Sequence, residues 1–178
     1  LTPTGWAATF VTDIAPFETM KLRLLNGSHS SMAYLGYLAG HETIADCMAD
    51  EKLAAFVSRL MNEEVTSTLA VPPGADVSAY RQALLARFRN PGLRHRCWQI
   101  AMDGSQKLPQ RLLGTIRDRL KSGAPITALA LGVAAWITRP GLGAFDAMLR
   151  TAIQTRIATT DVDAGGDALS TVALIGCK

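Results

Sequence analysis

Helical periodicity is the feature that most constrains the fold of this 178-residue chain. Between residues 18 and 38, apolar side chains recur every three or four positions, at Leu22, Leu25, Met32, Leu35 and Leu38. Residues with this spacing lie on one face of an α-helix. Elsewhere no convincing alternation of apolar and polar residues predicts β-strands. The pattern therefore predicts an all-α fold, a multi-helix bundle.

Capping and breaking residues divide the chain into further helices. Gly40 is predicted to end the first helix, and Asp50 to cap a second one that continues to Leu69. A third helix is predicted to start at Asp76 or Ser78 and to end at Phe88, and a shorter one is predicted over 94–102. The second and third are separated by a Val-Pro-Pro-Gly run, since proline removes a backbone donor.

The C-terminal half continues the helical pattern. Ser105 is predicted to cap a helix over 106–121, which would place Pro109 in the first turn, where its missing N–H matters little. A buried helix is predicted over 126–137 and another over 144–157. The tail beyond residue 158 predicts a last helix or a short strand.

Length and composition indicate one globular domain over residues 1–178. Hydrophobic residues make up 48% of the chain and charged residues 19%, which excludes a disordered protein. The net charge of +3 is small and scattered, so no nucleic-acid partner is expected. No apolar run is long enough to predict a membrane-spanning helix. The N-terminus does not resemble a signal peptide, and the chain is expected to start in the middle of a longer protein.

The cysteines indicate a reducing compartment. Cys47, Cys97 and Cys177 are odd in number, widely spaced and without a Cys-x-x-Cys pair. A disulfide framework or a structural zinc site is therefore not expected, and the cytoplasm is the predicted location.

Three polar residues stand out in the first predicted helix. Lys21, Asn26 and His29 place an amine, an amide and an imidazole within nine residues of an apolar segment. At about 100° per residue, Asn26 lies roughly 140° around an ideal helix from Lys21, with His29 between them. This set suits proton transfer at a hydroxyl or carbonyl carbon. Alternatively, Lys21 is a solvated lysine, Asn26 precedes a helix stop, and His29 is a buried histidine with satisfied ring nitrogens.

Other chemistries fit the sequence less well. The zinc-protease motif His-Glu-x-x-His begins at His41, but Ala45 replaces its second histidine. No Gly-x-Ser-x-Gly elbow occurs. The run Gly141-Leu-Gly143 lacks the third glycine of a dinucleotide-binding turn. No metal site and no cofactor-binding residues are therefore predicted within this chain.

Two separated motifs resemble a known family. The run from Ala15 to His29 contains the signature Lys-x4-Asn-x2-His, and the run from Arg87 to Arg111 contains Asp-Gly-Ser-Gln-Lys. Both resemble the long-chain polyol and sugar-acid dehydrogenases, the family of mannitol 2-dehydrogenase and fructuronate reductase. The likeness covers about residues 13–137, and the second run is closer to the mannonate (fructuronate reductase) branch. After Ile137 the chain departs from the family's pattern, and the run from Ala164 to Lys178 resembles nothing in the family, so the role of the tail over 138–178 stays open.

The resemblance implies a C-terminal, substrate-binding helical domain of a two-domain, NAD-dependent and metal-independent oxidoreductase. Its partners would be a small polyol or sugar acid and the N-terminal Rossmann domain of the same enzyme. Mannonate and fructuronate are expected ahead of mannitol and fructose. Since this chain lacks the nucleotide-binding domain, it is expected to be inactive alone.

The resemblance also implies residue roles. Lys21 would be the general acid and base, and Leu25 and Met32 on its face would desolvate the ammonium and so favour the neutral amine. Asn26 would donate to the developing oxyanion, and His29 would orient a substrate hydroxyl.

A second group of cations would contact the substrate. Lys107 would bind a hexuronate carboxylate or a polyol oxygen; the alternative is a solvated lysine in the first turn of its helix. Arg94, His95 and Arg96 form a basic patch that either contacts substrate or phosphate or is a solvated helix start.

The competing hypothesis is a non-catalytic helical module, used for interaction or regulation, that keeps the scaffold without the chemistry. The two hypotheses differ at Lys21. A catalytic lysine should lie in a cleft with Asn26, His29 and Lys107, whereas an inert module should leave Lys21 in water.

Overall fold

The computed structural model describes residues 11–72 and 74–138, and within these ranges helices and short connections account for the chain. The predicted all-α class is confirmed. We number seven helices, three of which contain π-helical segments. They are α1 (Ala15–Met20, the π-helical Lys21–Gly27 and Ser28–Leu38), α2 (Ile44–Ala49), α3 (Glu51–Arg59, the π-helical Leu60–Val65 and the 3-10 turn Thr66–Thr68), α4 (Val77–Phe88), α5 (Cys97–Ile100), α6 (Gly104–Leu108, the π-helical Pro109–Leu113 and Gly114–Lys121) and α7 (Thr127–Thr138).

Most predicted helix boundaries are confirmed by their capping geometry. The Asp50 carboxylate accepts hydrogen bonds from the backbone N–H groups of the next turn, and Asp76 does the same for α4. Gly40 and Gly123 have φ values of +84° and +67°, the left-handed conformation that ends a helix and that glycine adopts without strain.

Helix α2 was not predicted from the sequence. Its start is a reciprocal capping box, in which the Thr43 hydroxyl accepts from the Asp46 N–H and the Asp46 carboxylate accepts from the Thr43 N–H. The two caps at Thr43 and Asp50 lie seven residues apart, so this helix has fewer than two turns and shows little periodicity.

The predicted start of α6 is wrong. The helix begins at Gly104, after Asp103 with φ of +55°, and Ser105 does not act as its cap. Pro109 consequently lies inside the helix, where an α-helical turn would meet both a missing donor and a ring clash. A π-helical segment begins at this proline, and its wider turn accommodates the residue.

The short predicted helix over 94–102 is also shorter in the structure. Arg94 adopts φ of +43°, and Arg96 forms an isolated antiparallel bridge with Thr43. The extended backbone at this bridge delays the helix, so that only Cys97–Ile100 is helical.

The core lies between the second half of α1 and helices α5 and α7, with α2 to α4 packed around it. The largest fully buried side chains include Trp136, Tyr34, Leu24 and Met32. The free thiols of Cys47 and Cys97 are buried here, with their Sγ atoms 3.5 Å apart. The prediction that α7 is buried is confirmed, since most of its residues are buried.

The π-helical segments of α1 and α6 pack directly against each other. A Cβ placed on Gly27 would lie only 2.7 Å from the backbone oxygen of Arg111. The two backbones therefore approach as closely as glycine allows. This contact fixes the helix of the first family motif against the helix in which the second motif ends.

Buried polar side chains join α3 to the end of α6 and the start of α7. The Glu64 carboxylate accepts from the backbone N–H groups of Ala128 and Leu129, at 2.7 and 2.9 Å. The Arg119 guanidinium donates to the carbonyl oxygens of Pro125 and Glu63, at 2.6 and 2.8 Å. Glu64 thus serves as the cap that the apolar residue Ile126 cannot provide.

The helix predicted over 144–157, the tail beyond it and Cys177 lie outside the described residues. Within the described ranges, no helix combines the length and the apolar character needed to cross a lipid bilayer.

Replacing Gly27 with Ala should destabilise the chain by about 1–3 kcal/mol, because the new methyl group overlaps the carbonyl of Arg111. The matched control is Gly114→Ala in α6, where the nearest atoms lie at 3.6 Å. That change should be neutral or stabilise by up to about 1 kcal/mol, since helical glycine is entropically costly. Urea denaturation of both variants measures the difference, and equal stabilities would contradict the close approach.

Replacing Glu64 with Ala should lower the free energy of unfolding by about 2 kcal/mol, since two buried N–H groups lose their acceptor. The control is Glu63→Ala, whose exposed side chain is removed while its carbonyl still accepts from Arg119. Its effect should stay within about 0.5 kcal/mol. A loss of similar size in both variants would show that Glu64 is not the cap.

Candidate functional site

The π-helical segment of α1 positions the first two candidate residues. Its hydrogen bonds run from residue i to i+5, so its turn is wider than an α-helical turn and residues five apart lie closer to one face. Lys21 and Asn26 have this spacing, and the angle between them is therefore smaller than the 140° of an ideal α-helix. The segment brings the amine and the amide towards one face.

Lys21 and Asn26 differ in their environments. Lys21 is exposed and forms no hydrogen bond or ion pair with the described residues. Of the two apolar residues expected beside it, Met32 is fully buried and Leu25 partly buried, while the Lys21 side chain itself is exposed. The Oδ1 atom of Asn26 is buried and has no hydrogen-bond partner within residues 11–72 and 74–138. A buried acceptor without a donor destabilises the folded chain, and a bound substrate that donates a hydrogen bond would satisfy it.

His29 lies in a cluster of rings. Its imidazole stacks on Phe88 of α4, with ring centroids 5.3 Å apart and planes 6° apart. The ring of His95 approaches it edge-on at 5.2 Å. The Nε2 atom of His29 is buried and finds no partner among the described side chains.

The surroundings of His29 keep its imidazole neutral. Burial lowers its pKa from 6.5 to about 4, and the positive charges of His95, Arg111 and Arg87 act in the same direction. At neutral pH one ring nitrogen carries a proton and the other is an acceptor. The ring can therefore both donate to and accept from hydroxyl groups.

Of the three residues in the basic patch, one faces His29 and two face solvent. The His95 carbonyl accepts from the Ile44 N–H, in the bridge that ties this segment to the start of α2, and its ring meets His29. Arg94 and Arg96 are exposed, and Arg96 lies 4.0 Å from the Glu42 carboxylate. Only His95 of the three is brought to the candidate site.

Lys107 interacts mainly with its own turn. Its ammonium donates to the carbonyl of Met102 at 2.6 Å and lies 3.7 Å from the Asp103 carboxylate. The described contacts do not join Lys107, or Lys21, to the ring of His29. The four motif residues thus lie on two helices whose π-helical segments touch, without direct contact between the two lysines.

Sequence reasoning missed Arg111. Its Nη1 atom donates to the Ser30 hydroxyl at 2.9 Å, one residue after His29, and its Nε atom is buried without a partner among the described residues. Burial lowers the pKa of its guanidinium. The sequence did contain a signal for this residue, because Arg111 is the last residue of the second family motif and lies four residues after Lys107.

Two surface depressions lie away from this cluster. One is lined by His41, Asp46, Ala49, Asp50, Glu51 and Lys52, and the other by Arg59, Glu63, Glu64, Arg119, Pro125 and Thr127. Neither contains a motif residue. In the described part of the chain, no group of three His, Cys, Asp or Glu side chains is arranged to hold a metal ion.

The described residues do not fit a dinucleotide. A dinucleotide site of the Rossmann type needs parallel strands and a glycine-rich turn before a helix. Residues 11–72 and 74–138 contain helices and a single isolated bridge. The unsatisfied atoms of Asn26, His29 and Arg111 suit a polar small molecule with hydroxyl or acidic groups.

Comparison with known proteins identifies the family. A family model described as the mannitol dehydrogenase C-terminal domain matches residues 13–139. D-mannonate oxidoreductase of Escherichia coli (strain K12) is 57% identical over 130 residues, which are 73% of this chain and 27% of that protein. Mannitol 2-dehydrogenase of Phaeosphaeria nodorum is 40% identical over 123 residues, which are 69% of this chain and 22% of that protein.

A solved structure shows the same fold. Pseudomonas fluorescens mannitol 2-dehydrogenase, in a ternary complex with NAD and D-mannitol, matches with a TM-score of 0.76 and 29% sequence identity. The match covers 94% of this chain and 38% of that one. The chain thus spans about a quarter of the length of the curated relatives it matches. Matching over residues 13–139 shows that the chain belongs to the mannitol dehydrogenase family of oxidoreductases and carries its C-terminal domain.

Proposed function

We propose that this chain is the substrate-binding and proton-transfer domain of an NAD-dependent oxidoreductase. The reaction interconverts a secondary alcohol and a ketone on a polyol or hexonate, with mannonate and fructuronate favoured over mannitol and fructose. The observation that carries the proposal is the set of buried, unsatisfied polar atoms on Asn26 and His29, which follow Lys21 on one helix. The name of the E. coli relative supports the hexonate preference.

In this proposal Lys21 moves the proton. Its neutral amine accepts the hydroxyl proton when the alcohol is oxidised, and its ammonium returns a proton to the oxygen when the ketone is reduced. The reaction needs water to be excluded around the amine. Because Lys21 is exposed here, the covering surface comes from outside the described residues.

Asn26 and His29 orient the substrate. The Asn26 amide donates an N–H to the oxygen on which negative charge develops, and its buried Oδ1 accepts from a substrate hydroxyl. The neutral His29 imidazole binds a second hydroxyl, held in place by stacking on Phe88.

NAD supplies the hydride acceptor in such enzymes. The described residues offer no dinucleotide site, so we assign its binding to a preceding nucleotide-binding domain. The share of the relatives' length that this chain spans leaves room for such a domain. Alone, the chain is therefore expected to bind substrate weakly and not to turn it over.

One observation favours the alternative of a non-catalytic helical module. Lys21 is exposed, as an inert module would leave it. The same exposure is expected of an enzyme domain whose covering domain is not part of the structure. Substitution of Lys21 in the intact enzyme separates the two hypotheses.

In the intact enzyme, Lys21→Ala should lower kcat by roughly 100- to 10,000-fold, because the proton acceptor is lost. The affinity for NAD should stay unchanged, since Lys21 is not assigned to the dinucleotide. Steady-state kinetics with mannonate and titration with NAD measure both quantities. The control is Lys52→Ala, which removes an exposed lysine of α3 and should retain wild-type kcat. A Lys21→Ala enzyme with kcat within about twofold of wild type would exclude the role.

The neutral His29 predicts an acid-sensitive chain. Between pH 6.5 and about 4 the unfolded chain takes up a proton at His29 that the folded chain does not, so stability falls as pH decreases. We expect a loss of about 2 kcal/mol between pH 7 and pH 4.5 from this residue. Urea denaturation at both pH values measures it.

Two variants isolate the contribution of His29. His29→Gln should remove most of that pH-dependent loss, whereas His41→Gln, which alters a surface pair with Asp50, should retain it. If His29→Gln loses as much stability on acidification as the wild type, the folded chain protonates His29 normally and the neutral ring is excluded.

A further inference from the structure

The guanidinium of Arg111 is desolvated without a carboxylate partner. It is half-buried, one Nη donates to a neutral hydroxyl, that of Ser30, and the buried Nε has no acceptor within the described ranges. A buried charge is stable when an opposite charge and hydrogen bonds compensate its lost hydration. An acceptor for this guanidinium is therefore missing from the described part of the chain.

The charged side chains close to His29 and Arg111 are positive. The guanidinium groups of Arg111 and Arg87 place positive charge near His29, and no Asp or Glu of the described residues is among the groups that shift its pKa. Three carboxylates elsewhere in the described fold already have partners: Asp118 pairs with Arg23, Asp103 with Lys107, and Glu64 caps α7. The cluster favours an anion because its positive field is not compensated.

The position of Arg111 is fixed relative to the proposed reaction centre. Its backbone oxygen contacts Gly27 at the junction of the π-helical segments, and its side chain binds Ser30, next to His29. Asn26 and His29 lie on the same helix on either side of Gly27. Arg111 is thus held from both its backbone and its side chain beside the hydroxyl-binding residues.

We propose that Arg111 binds the carboxylate of a sugar-acid substrate and so selects hexonates over neutral polyols. This rests on the proposed oxidoreductase function and names the residue that distinguishes its two substrate classes. A guanidinium offers parallel N–H donors that match a carboxylate in charge and geometry, which a hydroxymethyl group cannot use equally. Lys107 is less suited, since its ammonium already binds the Met102 carbonyl and lies near Asp103.

The test compares two substrates with the same carbon skeleton in the intact enzyme. D-mannonate carries the carboxylate, and D-mannitol carries a hydroxymethyl group in its place. For Arg111→Gln we expect kcat/KM with mannonate to fall by roughly 10- to 100-fold, mainly through KM, because a charged hydrogen bond is lost. The constants with mannitol should change by less than about threefold.

Two further variants separate recognition from packing. Arg111→Lys keeps the charge without the paired donors and should recover part of the mannonate activity. Arg117→Gln makes the same substitution at an exposed arginine of α6 and should leave both substrates unaffected. The unfolding midpoint and the affinity for NAD check that Arg111→Gln remains folded. These two measurements serve as the control for folding if the wild-type enzyme does not turn over mannitol.

Several results would overturn the inference. Equal losses with both substrates, no recovery by Arg111→Lys, or unchanged mannonate kinetics in Arg111→Gln would each leave Arg111 with a packing role only. A wild-type enzyme that uses mannitol but not mannonate would exclude the carboxylate site while the oxidoreductase function stands in its polyol form. A folded, NAD-binding enzyme that uses neither substrate would refute the proposed function itself, and the inference with it.

Discussion

The close backbone contact between Gly27 and Arg111 is the constraint on which the candidate site depends. Two helices approach to the limit set by a missing side chain, and both are π-helical where they touch. The wider turns change which residues share a face on each helix. One segment carries Lys21 and Asn26, and the other carries Arg111. The chemistry of the family motifs is thus coupled to an irregularity of the helical backbone.

Local sequence signals predicted the helices better than they predicted the details inside them. Asp50, Asp76, Gly40 and Gly123 act through short-range hydrogen bonds or backbone conformation, so a single sequence reveals them. The π-helical segments of α1 and α3 could not be read from periodicity, whereas Pro109 marks the start of the one in α6. At α6 the predicted cap, Ser105, was wrong because the turn at Asp103 starts the helix earlier.

In the candidate site, too, the sequence identified residue types but not their surroundings in the folded chain. The motif around Lys21, Asn26 and His29 identifies the residue types, but the partners of the His29 ring lie 59 and 66 residues further along the chain, at Phe88 and His95. Burial of Asn26 and exposure of Lys21 likewise result from the way helices pack. Sequence spacing therefore names candidate residues, whereas the folded chain decides which of them are desolvated.

The cap that Glu64 provides for α7 also has a kinetic consequence. Its carboxylate binds the N–H of Ala128, 64 residues further along the chain. The N–H groups at the start of α7 are therefore satisfied only after a long loop has closed, and closing that loop costs chain entropy before the contact forms. We therefore expect this cap to be a late-forming contact of the fold, whatever the helical propensity of α7 itself.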